Sequence, residues 1–164
     1  MSKTEKNLQA AFAGESQANR KYLAFAQKAD AEGHASVAKL FRAAAEAETI
    51  HAMHHLKVLG YNKTTAENLK SAITGETHEF TEMYPEFINE ATNEGMQEAV
   101  KAFSQANAAE EVHANLYQKA LNAIGDHSLH NYFVCPICGF IADNDVPDIC
   151  PICGTKHTAF KEIK

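Results

Sequence analysis

The strongest constraint on the fold of this chain is a set of charged side chains placed where a helical core should be dry. Around the stretch AETIHAMHH, residues 47–55, an apolar stripe reads Val37, Leu40, Phe41, Ala44, then Leu56 and Leu59. Continued at the helical period, that stripe passes over Glu48 and His51. A buried carboxylate is costly unless something neutralises it. The same interruption recurs in three other helical stripes. Glu15 follows Phe12 by three residues, Glu76 follows Ile73 by three, with Glu79 three further on, and Glu110 follows Phe103 by seven, with His113 three beyond.

The order of these residues repeats. Glu15 precedes Glu48-Thr-Ile-His51, and Glu76 precedes Glu110-Glu-Val-His113, at nearly equal separations. Two helix pairs, each donating one Glu and one Glu-x-x-His, form the ligand set of a carboxylate-bridged two-metal site. The i, i+3 spacing sets carboxylate and imidazole one turn apart on one face. Oxygen ligands with imidazole nitrogen suit iron or manganese. A single Glu-x-x-His could sit on a solvated helix face; four stripes broken at one level, with doubled spacing, argue for a buried cation. His55, one turn beyond His51, is a candidate to stand behind the ligands. His34, His78, His127, His130 and His157 fit helix ends, solvated faces or loops, and Glu46, Glu82, Glu86 and Glu111 fall off the stripes as surface charges.

Glycines punctuate the helical text. The expected helices are about 4–32 ending at Gly33, 36–59 ending at Gly60, a third capped by Thr64 or Thr65 and closed by Gly95, and a fourth running to about Ile124 before Gly125. Pro85 predicts a kink inside the third. The fold class expected is an all-α four-helix bundle with a small C-terminal metal ribbon, divided at 1–128 and 129–164.

All four cysteines lie in the last segment, as Cys135-Pro-Ile-Cys138-Gly and Cys150-Pro-Ile-Cys153-Gly. Two residues between cysteines let both thiolates reach one metal, and Gly139 and Gly154 permit the positive φ that aims N–H groups at sulfur. Two such knuckles make a tetrahedral site for either zinc or a single iron. About 35 residues bury too little apolar surface to fold unaided, so the metal holds this segment together.

The formal net charge of −6 argues against nucleic acid as a partner. No stretch has the length and apolarity of a membrane span, and the N-terminal residues lack a signal-peptide core, so the expected compartment is the cytoplasm.

Together GESQANRKY at 14–22, EAETIH at 46–51, GETHEFTEMYPEF at 75–87, AEEVH at 109–113 and the paired CPICG resemble the rubrerythrins over essentially the whole chain. The resemblance implies a ferritin-like bundle with a di-iron site and a rubredoxin-like Fe(Cys)4 domain, in which zinc can replace iron on overexpression. It implies reduction of hydrogen peroxide to water in oxidative-stress defence, with electrons from rubredoxin or an NAD(P)H-dependent reductase. Glu48 and Glu110 would bridge the irons, Glu15 and Glu79 would serve one, and Glu76 with His113 the other. His51 would exchange with Glu79 as the redox state changes, and Tyr22 and Tyr84 would stand behind the ligands. Cys135, Cys138, Cys150 and Cys153 would hold the single iron.

From His113 to the helix end near Gly125 is roughly 18 Å of helix. That length predicts a ribbon held away from its own chain's iron pair and a homodimer in which it serves a neighbour. Two competing readings are a ferroxidase or iron-handling ferritin-like protein, and a non-enzymatic zinc-ribbon interaction module.

Overall fold

A computed structural model describes residues 1–126 and 128–164, so the expectation for His127 lies outside the described residues. The chain forms two compact units, Met1–Lys63 and Thr64–Lys164.

The first unit is a helical hairpin of α1 (Lys3–Ala31) and α2 (Ala35–Leu59). Ser2 opens α1 with a capping box: its side chain accepts from the Glu5 N–H, and the Glu5 carboxylate accepts from the Ser2 N–H. Gly60, at φ 67°, ends α2 in the left-handed conformation that a residue without Cβ adopts at little cost. The seam between the helices is made of alanines. Ala26 and Ala29 of α1 and Ala38, Ala45 and Ala52 of α2 are buried, and small side chains allow close helix approach. Asn19 clamps the seam by donating to the Ala45 carbonyl at 2.7 Å and to the Thr49 hydroxyl at 2.8 Å. Arg42 pairs with Asp30 at 2.7 Å.

The second unit begins with α3 (Thr65–His78), opened by a second capping box, Thr64 with Glu67. A π-helical turn, Glu79–Met83, leads directly into α4 (Tyr84–Asn93), and α5 (Gln97–Asn122) packs against all three. The kink expected at Pro85 is therefore expressed one turn earlier, as a π turn. Proline has no N–H to give the carbonyl four residues back, and the wider turn is one way a helix absorbs such a break.

The ribbon follows. Strands β1 (Tyr132–Val134), β2 (Ile141–Asp143) and β3 (Lys161–Ile163) form an antiparallel sheet in the order β2-β1-β3. Phe140 and Phe160 meet edge to face at 6.3 Å. With Cys135 and Cys150 buried, sulfur is a large part of the ribbon's core. The helical pairs and terminal ribbon are the elements of the ferritin-like, rubredoxin-like fold class that the sequence predicts. No helix among the described residues is long and apolar enough to cross a membrane.

Candidate metal centres

Among the described residues, three groups of side chains converge closely enough to hold a metal ion. Glu15, Glu48 and His51 gather in the first unit; Glu76, Glu110 and His113 gather in the second; the four cysteines gather in the ribbon. In each group the ligand atoms lie within 4.8 Å of one another.

Helical spacing builds the first trio. Glu48 and His51 are one turn apart on α2, with His51 Nδ1 3.2 Å from a Glu48 oxygen. Glu15, across the hairpin on α1, has its pKa raised first by a hydrogen bond to Glu48, then by burial and the charge of Glu48. The same bond holds Glu48 below its ordinary range, with His51 assisting. His55 also faces Glu15 and favours its charged form. Two carboxylates that share a hydrogen bond when metal-free suit a site whose charge a cation would balance.

The second trio has the same plan and tighter restraint. His113 Nδ1 lies 2.6 Å from a Glu110 oxygen, and His113 Nε2 lies 2.9 Å from the Gly139 carbonyl oxygen in the ribbon. One ring nitrogen thus faces the carboxylates while the other has a backbone acceptor, the arrangement that fixes a metal-binding histidine's orientation. Glu76 is pushed up to about 7, chiefly by burial and then by its hydrogen bond to Glu110. Near neutral pH the metal-free trio therefore holds a proton that a cation would displace.

The Gly139 contact corrects one expectation. The ribbon does not stand a helix length from the ligands of its own chain: it meets α5 at His113. The residues after α5 turn back, with Asp126 N–H donating to the Ala123 carbonyl at 2.8 Å, so the distance along the helix is not the distance through space.

Glu79 falls outside both trios, on the π turn, where burial and Glu110 raise its pKa. Its placement follows from a difference between the repeats. Tyr22 lies seven residues after Glu15, whereas Tyr84 lies eight after Glu76. The π turn takes up the additional residue and leaves Tyr84 in the position equivalent to Tyr22. Tyr22 packs with Phe25 and Phe41 at 6.2 and 6.3 Å, and Tyr84 packs with Phe87 and Phe103, each at 6.2 Å. Burial, then Glu110, Glu79 and Glu76, push the Tyr84 phenol up. The Tyr117 phenol is raised by burial and by Glu76 and Glu110 as well.

In the ribbon, Cys135 Sγ and Cys153 Sγ are 3.5 Å apart, as are Cys138 Sγ and Cys150 Sγ. These are free thiols rather than disulfides, and a tetrahedron with bonds of about 2.3 Å has edges of about 3.8 Å. Gly139 and Gly154 have φ of 80° and 76°, as the knuckle geometry demands. Burial pushes Cys138 up against a hydrogen bond from the Phe140 backbone. Burial acts on Cys153 in the same direction, but the Thr155 hydroxyl and N–H and the neighbouring thiols outweigh it, lowering the pKa to about 6.

The rubrerythrin family model matches residues 6–121, and the rubrerythrin rubredoxin-like domain model matches residues 133–161. The chain belongs to the rubrerythrin family. Nigerythrin of Nitratidesulfovibrio vulgaris is 41% identical over 164 residues, covering 92% of this chain and 81% of nigerythrin. Rubrerythrin of Porphyromonas gingivalis is 35% identical over 182 residues, covering 99% of this chain and 91% of its own. The solved structure of nigerythrin in its fully reduced, all-ferrous state superposes with a TM-score of 0.61 at 36% identity, covering 99% of this chain and 88% of that one. With the donor sets above, family membership assigns this rubrerythrin a carboxylate-held iron pair and a four-cysteine iron centre.

Proposed function

We propose that this rubrerythrin is a peroxidase that reduces hydrogen peroxide to water, taking its electrons through the four-cysteine centre. The observation that carries this reading is the bond between His113 Nε2 and the Gly139 carbonyl, which ties a ligand of the second trio to the residue after Cys138. When bound, the iron pair supplies the two electrons that peroxide reduction requires, and the four-cysteine iron replenishes them one at a time.

The chain's own residues then have distinct tasks. Glu15, Glu48, His51, Glu76, Glu79, Glu110 and His113 hold the pair. Tyr84 keeps its proton because burial and three carboxylates oppose ionisation, so its hydroxyl remains a hydrogen-bond donor at the site. Tyr22 takes the equivalent place in the other repeat. His51 is the ligand that exchanges with Glu79 as the redox state changes. Residues 1–128 carry the peroxide chemistry and 129–164 the electron entry. The electron donor is rubredoxin or an NAD(P)H-dependent reductase, and the cytoplasm, where thiolates stay reduced, is the working compartment.

Steady-state turnover with rubredoxin, its reductase and NADH tests the reading. Two electrons are expected to be consumed per peroxide, with turnover abolished when Cys135→Ser removes a ribbon ligand. Oxidation of added ferrous iron by oxygen outpacing peroxide turnover would instead place the chain with the ferroxidases.

A further inference from the structure

Among the described residues one buried side-chain polar atom, Asn107 Oδ1, makes no hydrogen bond. Such an orphan lowers stability, so a native chain that keeps one calls for a physical reason. Its place on α5 supplies that reason. Asn107 follows Phe103 by four residues and precedes Glu110 by three, which sets all three on one face of the helix. Ala114, four beyond Glu110, is buried on the same face. Two contacts fix the level against the neighbouring helices. Glu76 of α3 shares a hydrogen bond with Glu110, and Tyr84 of α4 packs on Phe103 at 6.2 Å. Asn107 lies between these contacts, level with the π turn and one turn from the Glu110 carboxylate.

The first repeat has no such group. Its equivalent of Asn107, three residues before Glu48, is Ala45. The amide of that helix pair is Asn19 on α1, three residues before Tyr22, and it is engaged in structure, donating to the Ala45 carbonyl and the Thr49 hydroxyl. At the matching place in the second repeat, three before Tyr84, Thr81 donates to the Thr77 carbonyl of its own helix at 2.6 Å. The amide of the second repeat sits on α5 instead, and its oxygen clamps nothing.

A buried acceptor of this kind calls for a ligand that brings its own donor. Hydrogen peroxide carries two O–H groups, whereas dioxygen carries none. We propose, on the peroxidase reading above, that Asn107 is a specificity-determining residue whose Oδ1 accepts a hydrogen bond from hydrogen peroxide and so favours peroxide over oxygen at the iron pair. Tyr84 complements it, since its hydroxyl keeps its proton and donates to a peroxide oxygen. A site built to pair with a substrate O–H discriminates against a molecule lacking one, because the buried acceptor is then left unmet.

Two substitutions test this. Asn107→Leu removes the acceptor at similar volume, and Asn107→Ala reproduces the first repeat at this position. Fully reduced, iron-loaded protein is mixed with hydrogen peroxide or with oxygen, and the two oxidation rates are compared. Each variant is expected to lose about tenfold in rate with peroxide while the rate with oxygen stays at the wild-type value, so the peroxide-to-oxygen ratio falls about tenfold. A ratio at the wild-type value, whether both rates hold or both fall, would overturn the assignment. A wild type that reduces no peroxide would overturn the proposed function, and this inference with it. Urea unfolding of the metal-free chain, followed by helical circular dichroism, reads the orphaned oxygen without any turnover. Neither variant buries an acceptor, so the midpoint is expected to hold or rise with leucine, or with alanine where leucine does not fit. A midpoint that falls in both variants would show that Oδ1 has a partner in the folded chain, and would overturn the assignment as well.

Discussion

His51 stands 57% exposed in the first helix pair, while its counterpart His113 is 16% exposed and engaged at both ring nitrogens. The two pairs share their capping boxes, their Glu and Glu-x-x-His spacing, and a tyrosine with two phenylalanines beside it. They differ in what surrounds that plan. The second pair has a π turn carrying Glu79, a Glu76 with a strongly raised pKa, and a ribbon carbonyl on its histidine. The comparison teaches that ligand spacing sets which side chains converge, whereas neighbouring elements set how firmly they are held. The second pair is the fixed half, its histidine held at both ring nitrogens, and the first is the half whose histidine is held at Nδ1 by Glu48.

Removing the centre of the fixed half is expected to do most damage. Glu110 is paired with His113 and Glu76 and influences Tyr84, Tyr117 and Glu79. Glu110→Ala should abolish iron-pair loading and lower peroxide turnover by more than the 10–100-fold typical of losing an outer partner of a metal ligand. Iron titration with turnover measured on the same sample checks this; near-normal loading would remove Glu110 from the ligand set.

The histidines sharpen the contrast. His113→Gln should cost roughly tenfold more in ferrous affinity than His51→Gln, because only His113 loses a restraint on both ring nitrogens. Equal losses in anaerobic binding isotherms would show that the Gly139 bond does not discriminate the two halves.

A pH series separates the halves in the metal-free protein. Glu76, raised in the folded state, contributes stability that is present below the ordinary glutamate range and lost as pH climbs toward and through about 7. Glu48, lowered in the folded state, contributes stability present above that range and lost as pH falls through its depressed value. Urea midpoints are therefore expected to gain from Glu76→Gln at pH 8 relative to pH 5. Iron uptake by the second trio should strengthen as pH rises through 7, because metal displaces the shared proton. Uptake independent of pH between 6 and 8 would contradict this.

The smallest effects are expected at the shared caps. Ser2→Ala and Thr64→Ala each remove a capping hydroxyl and should each cost about 1 kcal/mol in chemical denaturation. A large difference between them would show that one cap does more than satisfy helix N–H groups.

Much of this was legible in the sequence because the relevant signals are periodic or local. Helical stripes broken by Glu15, Glu48, Glu76 and Glu110, glycine stops and paired Cys-x-x-Cys knuckles all act over a few residues. The π turn also left a trace, since Glu15 to Glu48 spans 33 residues and Glu76 to Glu110 spans 34, but a one-residue difference does not say where the extra residue goes. Pro85 drew attention to the right helix and the wrong turn. The ribbon's contact with His113 left no local signal, because it joins residues 26 apart in sequence, on either side of the end of α5. Leu40 illustrates the opposite failure: it sits on the apolar stripe yet is 68% exposed, because alanines rather than large side chains make the hairpin seam.

The central claim is that peroxide is reduced with electrons arriving through the four-cysteine centre. The most direct test mixes fully reduced, iron-loaded protein anaerobically with one equivalent of hydrogen peroxide, or of oxygen, and follows the ferric-thiolate absorption of the ribbon. The account predicts rapid return of that absorption with peroxide and slow return with oxygen. A ribbon that stays reduced while peroxide is consumed, or that responds faster to oxygen, would contradict it.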